Sequence, residues 1–274
     1  MDGGPARLFD AMAERYDELE PWYEHFYERL HALLGRVFPP ASGEGARRVL
    51  DAGCGSGFQT ARLAALGWTA HGVDVSAGLL AAARKRLDRP LLARAGVEAL
   101  PYGDASFDGA VCGGSTLSFV TDPARAVAEL GRVLRPGAPL LLDCEHKWNL
   151  DLAWMLLLDY GVTARDVRRA LARPTREGFA LSYPEYGRLR FFTRAEIAAL
   201  LAAGGFTLER VEGIHAVTNA LPSTLLHRER LPRGVGALYR GLCALDRVLA
   251  PRPPARWLAN SLAVVARRRD DRIR

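Results

Sequence analysis

The stretch that decides the fold is Val49-Leu50-Asp51-Ala52-Gly53-Cys54-Gly55-Ser56-Gly57. Its apolar start predicts a short buried strand, and residues 58–66 predict a helix that Gly67 ends. The glycines at alternate positions between them tolerate positive φ angles and let a ligand approach the backbone. The free N–H groups at the start of the helix add donors at the same place. The stretch therefore predicts a strand, a ligand-binding turn and a helix.

Short apolar runs and helical segments continue to alternate after this stretch. Such alternation predicts a parallel sheet that helices cover on both faces. We therefore predict an α/β fold: a doubly wound, mainly parallel sheet of seven strands with helical lid insertions. Thr193 and Glu196 are spaced as a capping box for the last core helix. The predicted strands are 48–51, 69–74, 91–95, 108–112, 139–144, 206–214 and 262–267, and the core helices are 58–66, 77–87, 123–134 and 194–203.

The segments outside this alternation divide the chain. Apolar and aromatic residues at helical spacing before residue 39 predict two helices that Pro21 separates, and a Pro- and Gly-rich linker follows them. Long stretches without alternation later in the chain are predicted to be helical insertions. We predict an N-terminal helical lid at 1–45, the ligand-binding core at 46–145, a helical insertion at 146–190, and the rest of the core at 191–274 with a helical insertion at 216–258.

The charge of the chain is uneven. Its 274 residues carry 37 basic and 31 acidic side chains, a net of +6, and 49% are hydrophobic, which excludes a disordered, collagen-like or polytopic membrane protein. Residues 226–274 hold 12 arginines and four acidic residues, a net of +8, so the rest of the chain carries −2. One further stripe of arginines at helical spacing is either a solvated face or a site for an anion or a membrane surface: Arg165, Arg168, Arg169 and Arg173.

The sequence also indicates the compartment. The four cysteines form no CxxC pair and no zinc spacing, and the opening Met-Asp-Gly-Gly-Pro does not resemble a signal peptide. The longest apolar run, 152–158, is too short to span a membrane. We predict a cytoplasmic protein without a metal centre and without integral membrane association. This prediction is compatible with peripheral contact with a membrane.

Two aspartates indicate which ligand the glycine-containing turn receives. A Gly-x-Gly turn alone fits a dinucleotide equally well. Asp51, at the C-terminal end of the first strand, would repel a pyrophosphate but attract a cationic amine. Asp74 ends the second strand, where a carboxylate accepts hydrogen bonds from both hydroxyls of a ribose. Together they favour a nucleoside that carries an amino-acid tail and a sulfonium.

In these residues the chain resembles the class I S-adenosylmethionine-dependent methyltransferases, in particular the small-molecule group (methyltransferase type 11) that includes the quinone-biosynthesis C-methyltransferases. The resemblance covers residues 46–145 and, more loosely, 190–214 and 262–267. It implies a Rossmann-like fold, S-adenosyl-L-methionine as cofactor and methyl transfer as activity. The segments that carry it are Val49–Gly57, Gly72–Ser76, Glu98–Pro101, Ser106–Asp108, Leu130–Gly137, Phe192–Ile197 and Ala203–Phe206.

The resemblance also implies roles for individual residues. The turn glycines and Asp51 would hold the methionine part of the cofactor, Asp74 the ribose, and Cys112 with Gly113 the sulfonium side. The predicted cofactor-binding residues are Tyr16, Asp51, Gly53, Cys54, Gly55, Gly57, Asp74, Val75, Val97, Glu98, Cys112 and Gly113.

Adenine recognition departs from the pattern of this group. Its members often carry an acidic residue, which bonds the adenine amino group, at the position of Gly96. Glycine has no such side chain. We therefore expect the adenine to depend on the backbone of Val97, on Glu98, or on packing.

The methyl acceptor is constrained by missing motifs and by aromatic residues. After the fourth strand, Cys112-Gly113-Gly114-Ser115 replaces the Asn/Asp-Pro-Pro-aromatic turn of nucleic-acid amino methyltransferases. Aromatic residues are frequent in 16–27 and 148–186, which the resemblance assigns to the lid over the acceptor. We predict a small, apolar or aromatic acceptor methylated at O, N or C, no nucleic-acid partner, and a monomer or homodimer.

Two residues are predicted to be catalytic. His146 follows the fifth predicted strand, at the edge where chemistry occurs, and an imidazole suits proton transfer near neutral pH. Tyr23 belongs to the predicted aromatic lid. Glu145 is an alternative base to His146.

Two other functions stay open at this point. A nicotinamide-dependent oxidoreductase shares the strand–turn–helix, but Phe58 stands where a third dinucleotide glycine would fall. Neither Lys85 nor Lys147 has the tyrosine four residues earlier that such an enzyme often uses. A non-catalytic S-adenosylmethionine-binding partner protein would carry the same cofactor motifs.

Overall fold

One sheet of seven strands forms the centre of the molecule. The computed structural model describes residues 4–13, 21–41, 47–158, 162–183, 187–228 and 230–270. Strands in these residues are β1 (Arg48–Ala52), β2 (Thr69–Asp74), β3 (Leu91–Arg94), β4 (Gly109–Cys112), β5 (Pro139–Glu145), β6 (Phe179–Tyr183), β7 (Gly187–Phe191), β8 (Phe206–Ile214) and β9 (Ser261–Arg268). The sheet order is β3-β2-β1-β4-β5-β9-β8. β1 to β5 pair in parallel and β9 runs antiparallel between β5 and β8, so the predicted sheet is confirmed.

Helices cover both faces of this sheet. They are α1 (Gly4–Met12), α2 (Pro21–Val37), α3 (Phe58–Ala65), α4 (Ala77–Arg86), α5 (Thr116–Phe119), α6 (Pro123–Val133), α7 (Asp151–Trp154), α8 (Ala164–Leu171), α9 (Arg194–Ala203), α10 (Ser223–Leu226) and α11 (Arg233–Leu249). Leu50 and Leu142 pack in one buried cluster with α6 and α9, whereas Val49 and Leu141 pack in another with α2 and α3. Successive strand residues thus point to opposite faces, and both faces need a cover. In the part of the chain that the structure describes, no helix is long and apolar enough to cross a membrane.

Local sequence determines where these helices begin. Pro21 is the first residue of α2, a position at which proline loses no hydrogen bond. The Thr193 hydroxyl accepts the Glu196 N–H at 3.1 Å, as the predicted cap of α9 requires. The Glu196 carboxylate, however, accepts the N–H of Gly178 at 3.0 Å and so ties α9 to the preceding insertion.

Residues 146–190 are only partly helical, which corrects the prediction for this insertion. α7 and α8 lie in it, but β6 and β7 form an antiparallel hairpin apart from the main sheet. The hairpin buries Phe179, Leu181 and Phe191 against Val167 of α8. Apolar residues at 179, 181 and 183 alternate with smaller ones, so the period-two signal of a strand is present in the sequence. In the second insertion, 216–258, the described residues include the helices α10 and α11.

The strand order creates a crevice at the carboxyl ends of β1 and β4. The chain moves outward from β1 to β2 and β3, and on the other side from β4 to β5. Loops after β1 and β4 therefore diverge, which is where ligands bind in open α/β sheets. The glycine-containing turn follows β1 at this point, and Gly113 follows β4.

Candidate active site

A cavity opens at the carboxyl ends of β1, β2 and β4. Its walls come from the turns after these strands, from residues 95–98 and from α1. Most of the predicted cofactor-binding residues line it: Gly53, Cys54, Gly55, Asp74, Val75, Val97, Glu98 and Gly113. The structure therefore brings residues from three separate sequence motifs together around one cavity.

The turn after β1 needs glycine for two different reasons. Gly53 and Gly55 line the cavity with φ angles of +78° and +53°, and a Cβ on Gly53 would clash with the side chain of Thr116. Gly57, with φ +86°, is not among the lining residues described. A Cβ there would lie 3.1 Å from the Cβ of Ala83 on α4. Gly57 therefore lets α3 and α4 approach each other, and its predicted cofactor contact stays a prediction.

Asp74, the last residue of β2, is oriented by backbone donors. Its Oδ2 accepts the Gly55 N–H at 2.9 Å, and its Oδ1 accepts the Ser76 N–H at 2.8 Å. Burial raises the pKa of this carboxyl, against the effect of these hydrogen bonds. Each carboxylate oxygen can accept more than one hydrogen bond, so Asp74 has acceptor capacity left toward the cavity. This donor set fits the two hydroxyls of a ribose.

Asp51 lies beneath the glycine turn and outside the described cavity lining. It is 1% exposed, and its Oδ2 accepts the Thr60 hydroxyl at 2.5 Å. Burial raises the pKa of Asp51 to about 7, against the Thr60 hydrogen bond, and the charge of Asp74 adds to the rise. Asp51 thus connects β1 to α3, and its predicted contact with the methionine part stays a prediction.

Cys112, another predicted cofactor residue, is not among the described residues that line the cavity. Cys112 is fully buried and packs in the cluster with α5 and α6. Because side chains alternate along a strand, the next residue, Gly113, faces the cavity instead. Tyr16 lies outside the described residues.

Tyr27 is the aromatic residue of α2 that lines the cavity, which corrects the prediction for Tyr23. Tyr23, one turn earlier, packs edge-on against Trp22 with 5.1 Å between ring centroids. Tyr27 stacks on Phe58 at 6.2 Å, and its Oη lies 3.7 Å from where a Cβ on Gly114 would stand. The aromatic pattern identified the right helix, but its neighbours decide which turn faces the cavity.

His146 is held by backbone groups away from the described lining, which corrects its expected position. Its Nδ1 lies 3.1 Å from the Ala259 carbonyl, so Nδ1 carries the proton and donates. The backbone N–H of His146 donates to the Asn260 carbonyl at 2.7 Å. Burial lowers the pKa of His146 to about 4, against the Ala259 hydrogen bond. The neutral, bonded ring supports the end of β5.

Two buried carboxyl groups on β5 hold the loop after β4. Asp143 Oδ2 accepts the Ser115 N–H at 2.8 Å, and the Ser115 hydroxyl lies 3.1 Å from Asp143 and 2.9 Å from Glu145. Burial raises the pKa of Asp143 to about 7 and that of Glu145 to about 8. One hydroxyl donates only one proton, so a protonated carboxyl on the other side completes the arrangement. Among the described residues, no group of three His, Cys, Asp or Glu side chains is placed to hold a metal ion.

The loop after β3 brings an acidic group to the position where Gly96 lacks one. Glu98 Oε2 lies 4.0 Å from where a Cβ on Gly96 would stand. Its Oε1 accepts the Asp122 N–H at 2.6 Å, which orients the side chain. Of the three alternatives for adenine recognition, this geometry favours the Glu98 carboxylate.

Helix α1 is part of the cavity wall, and its residues were missing from the predicted site. Pro5, Ala6 and Phe9 line the cavity. Phe9 packs edge-on against Phe119 at 5.2 Å, and Asp10 accepts the Ser76 hydroxyl at 2.6 Å. Helical spacing in the sequence identified α1, but only the tertiary contacts show that it covers the cavity.

Sequence comparison finds similar proteins among the methyltransferases. A family described as "Methyltransferase domain" matches residues 50–142. A demethylmenaquinone methyltransferase of Clavibacter sepedonicus is 28% identical over 262 residues, 92% of this chain and 96% of its own. A 2-phytyl-1,4-naphtoquinone methyltransferase of Nostoc punctiforme is 37% identical over 53% of this chain and 66% of its own. An O-methyltransferase of Penicillium expansum is 37% identical over 42% of this chain and 43% of its own.

Solved structures agree on the fold. An S-adenosylmethionine-dependent methyltransferase from Mesorhizobium loti has a TM-score of 0.54 at 21% identity, covering 89% of this chain and 98% of its own. A Burkholderia thailandensis 1,6-didemethyltoxoflavin-N1-methyltransferase, solved with S-adenosylhomocysteine, has a TM-score of 0.52 at 20% identity, covering 95% and 83%. The domain match and the relatives favour methyl transfer over a nicotinamide-dependent reaction. The chain is therefore an S-adenosylmethionine-dependent methyltransferase with S-adenosylmethionine as its cofactor, and it is similar to the class I enzymes of quinone biosynthesis.

Proposed function

We propose that this methyltransferase acts on a small apolar or aromatic molecule, at an O, N or C atom. The observation that carries the proposal is the composition of the cavity wall. Asp74 and the glycine turn share the cavity with four aromatic rings: Phe9, Tyr27, Phe58 and Phe119. A cavity with aromatic walls and few polar groups suits an apolar ligand oriented by a small number of hydrogen bonds.

The cofactor would be held by the residues that already have oriented acceptor groups. When bound, it supplies an electrophilic methyl group on a sulfonium. Asp74 would accept the ribose hydroxyls, and Glu98 with the backbone of Val97 would bind the adenine amino group. Gly53 and Gly55, which have no side chain, let the methionine part approach the backbone.

On the acceptor side, residues of the chain would orient the methyl acceptor and accept the proton that it loses on methylation. Asp143 holds Ser115, and with it the loop from Gly113 to Thr116 that borders the cavity. Tyr27, whose hydroxyl lies beside Gly114, would orient the acceptor by a hydrogen bond and, as a tyrosinate, would accept the proton that the acceptor loses on methylation. The bonded ring of His146 is less suited to this step than Tyr27.

The class of acceptor to test first is a quinol. Two of the relatives described above are named for quinones, and the aromatic wall suits a ring of this kind. A cytoplasmic location, a monomeric or homodimeric state and the absence of a nucleic-acid partner belong to the same proposal.

Thermal shifts and product analysis test the proposal together. We expect S-adenosylmethionine and S-adenosylhomocysteine, but not NAD, to raise the melting temperature. Incubation with S-adenosylmethionine and a naphthoquinol should yield S-adenosylhomocysteine and a product 14 Da heavier, detected by mass spectrometry. Stabilisation by NAD alone would contradict the proposal. Cofactor binding without turnover on quinols, phenols and aromatic amines would favour the non-catalytic partner protein.

A further inference from the structure

A trough rich in arginine lies between α2, the edge strand β8 and residues 247–256. Its volume is about 780 Å³, and none of the described residues that line it also lines the cofactor cavity. Its acidic members are Glu209 and Glu212, and arginines make up about half of the lining residues. The trough is therefore separate from the cofactor cavity.

Two of its charged residues are neutralised by partners outside the trough. Arg247 donates to both carboxylate oxygens of Glu28, at 2.8 and 2.7 Å. Glu209 accepts from Arg267 at 2.5 and 3.3 Å. The arginines that remain face a single carboxylate among the described lining residues, that of Glu212: Arg29, Arg36, Arg194, Arg210, Arg252 and Arg256.

Glu212 is too little to balance them. Its carboxylate is shared by Arg36, at 3.1 Å from both oxygens, by Arg210 at 3.3 Å and by Arg29 at 3.6 Å. The Nε atoms of Arg29 and Arg256 are buried without a hydrogen-bond partner among the described residues. Like charges that line one trough repel one another, and an anion bound between them lowers this repulsion.

We propose that the trough binds a phosphate ester or diphosphate. Guanidinium groups pair with phosphate oxygens through two parallel N–H donors, and several of them surround a polyanion better than a single carboxylate does. The volume exceeds that of a single ion. This site goes beyond methyl transfer and does not depend on which acceptor the enzyme uses.

The phosphate has two chemical sources that the structure makes testable. The turn beside Arg256 exposes Trp257 and Leu258, with 53% and 45% of their surface accessible, and Leu249 at the end of α11 is 44% exposed. Apolar side chains next to a phosphate site suit an anionic lipid, because the arginines would bind the phosphate of its headgroup and the apolar side chains would contact its acyl chains. A free phosphorylated metabolite would use the arginines alone.

Calorimetry with pyrophosphate tests the site directly. The double variant Arg194→Gln/Arg252→Gln removes two exposed cations that make no ion pair with Glu212, and we expect about tenfold weaker binding. Arg165→Gln/Arg168→Gln removes the same charge from the exposed face of α8 and should leave the affinity within about twofold. Equal effects of the two variants would overturn the proposal, as would displacement of pyrophosphate by S-adenosylhomocysteine.

A gain-of-binding variant guards against misfolding as an explanation. Glu212→Gln removes the competing carboxylate and should tighten pyrophosphate binding about fivefold, an effect that a loosened fold would not produce. Weaker binding at an unchanged melting temperature would count against the site.

Vesicles separate the two sources. Sedimentation with phosphatidylglycerol vesicles that pyrophosphate reverses, with phosphatidylcholine vesicles as the blank, assigns the site to a lipid phosphate. Pyrophosphate binding without sedimentation assigns it to a soluble phosphate ester. Absence of binding to both probes refutes the site.

Discussion

Carboxyl groups end two strands of the same sheet, and their surroundings give them different tasks. Asp74 at the end of β2 accepts two backbone N–H groups and lines the cavity. Asp143 and Glu145 on β5 are buried, share one serine hydroxyl, and hold a loop. Burial raises the pKa of all three, but only Asp74 keeps acceptor capacity toward the cavity. A carboxyl group at the ligand edge therefore binds ligand only where its backbone donors leave one side open.

Replacing Gly53 by alanine should have the largest effect, because it disrupts the glycine turn after β1 that lines the cavity beside Asp74. The new Cβ would clash with the side chain of Thr116, and the alanine would have to adopt the positive φ of Gly53. We expect the free energy of unfolding to fall by about 3 kcal/mol and cofactor binding to become undetectable. Urea unfolding and calorimetry with S-adenosylhomocysteine measure the two effects.

Gly137→Ala is the matched control for this variant. Gly137 has φ +80°, but a Cβ there would meet nothing within 4 Å. Only the backbone strain of about 1 kcal/mol should appear, with unchanged cofactor affinity. Equal losses in both variants would mean that close approach at Gly53 has no importance.

Asp74→Asn should weaken S-adenosylhomocysteine binding roughly 50-fold. The amide replaces one acceptor oxygen by a donor, so charge-assisted hydrogen bonds to the ribose and to the turn are lost. Asp143→Asn, an identical change on β5, should alter the same dissociation constant by less than about threefold. Calorimetry on both variants decides this point, and similar losses would abolish the distinction between the two strand ends.

The contrast also explains how far the sequence predicts the site. The glycine turn and Asp74 are contiguous with strands whose apolar pattern is plain, so their place at the crevice follows from local sequence and topology. Tyr27, Phe9 and Glu98 come from segments whose orientation depends on tertiary packing. The period of apolar residues and the composition identify the helices among these segments. Which side chains face the cavity depends on contacts with residues that are distant in the sequence. For the same reason His146 follows β5 at the ligand edge, as predicted from the sequence, yet its ring is hydrogen-bonded to the backbone carbonyl of Ala259.

The pH dependence of stability should separate the two strand ends next. Asp143 has a folded-state pKa of about 7, above the value of about 3.9 in an unfolded chain. The folded state thus binds this proton more tightly, and its stabilising contribution is present below about pH 4 and is lost as the pH rises toward 7. Asp143→Asn lacks this titration, so between pH 5 and 8 its unfolding free energy should fall by about 2 kcal/mol less than that of the unmodified chain.

Urea unfolding at pH 5 and pH 8 gives the required difference. Asp88→Asn, at an exposed position, is the control and should leave the pH dependence unchanged. Parallel slopes for the unmodified chain and Asp143→Asn would show that Asp143 is ionised in the folded state.

The smallest expected effect tests the acceptor side through a single oxygen atom. Tyr27→Phe keeps the ring on Phe58 and removes only the hydroxyl beside Gly114, so we expect kcat/KM for the acceptor to fall about tenfold, with cofactor affinity unchanged. Tyr23→Phe, one turn earlier and packed on Trp22, should stay within about twofold of the unmodified enzyme. If Tyr23→Phe were the impaired variant, the aromatic wall would be rotated by a turn of α2 from its position here. An unchanged rate in both would leave the orientation of the acceptor to the loop held by Asp143, and the β5 carboxyl groups would then matter for catalysis through that loop.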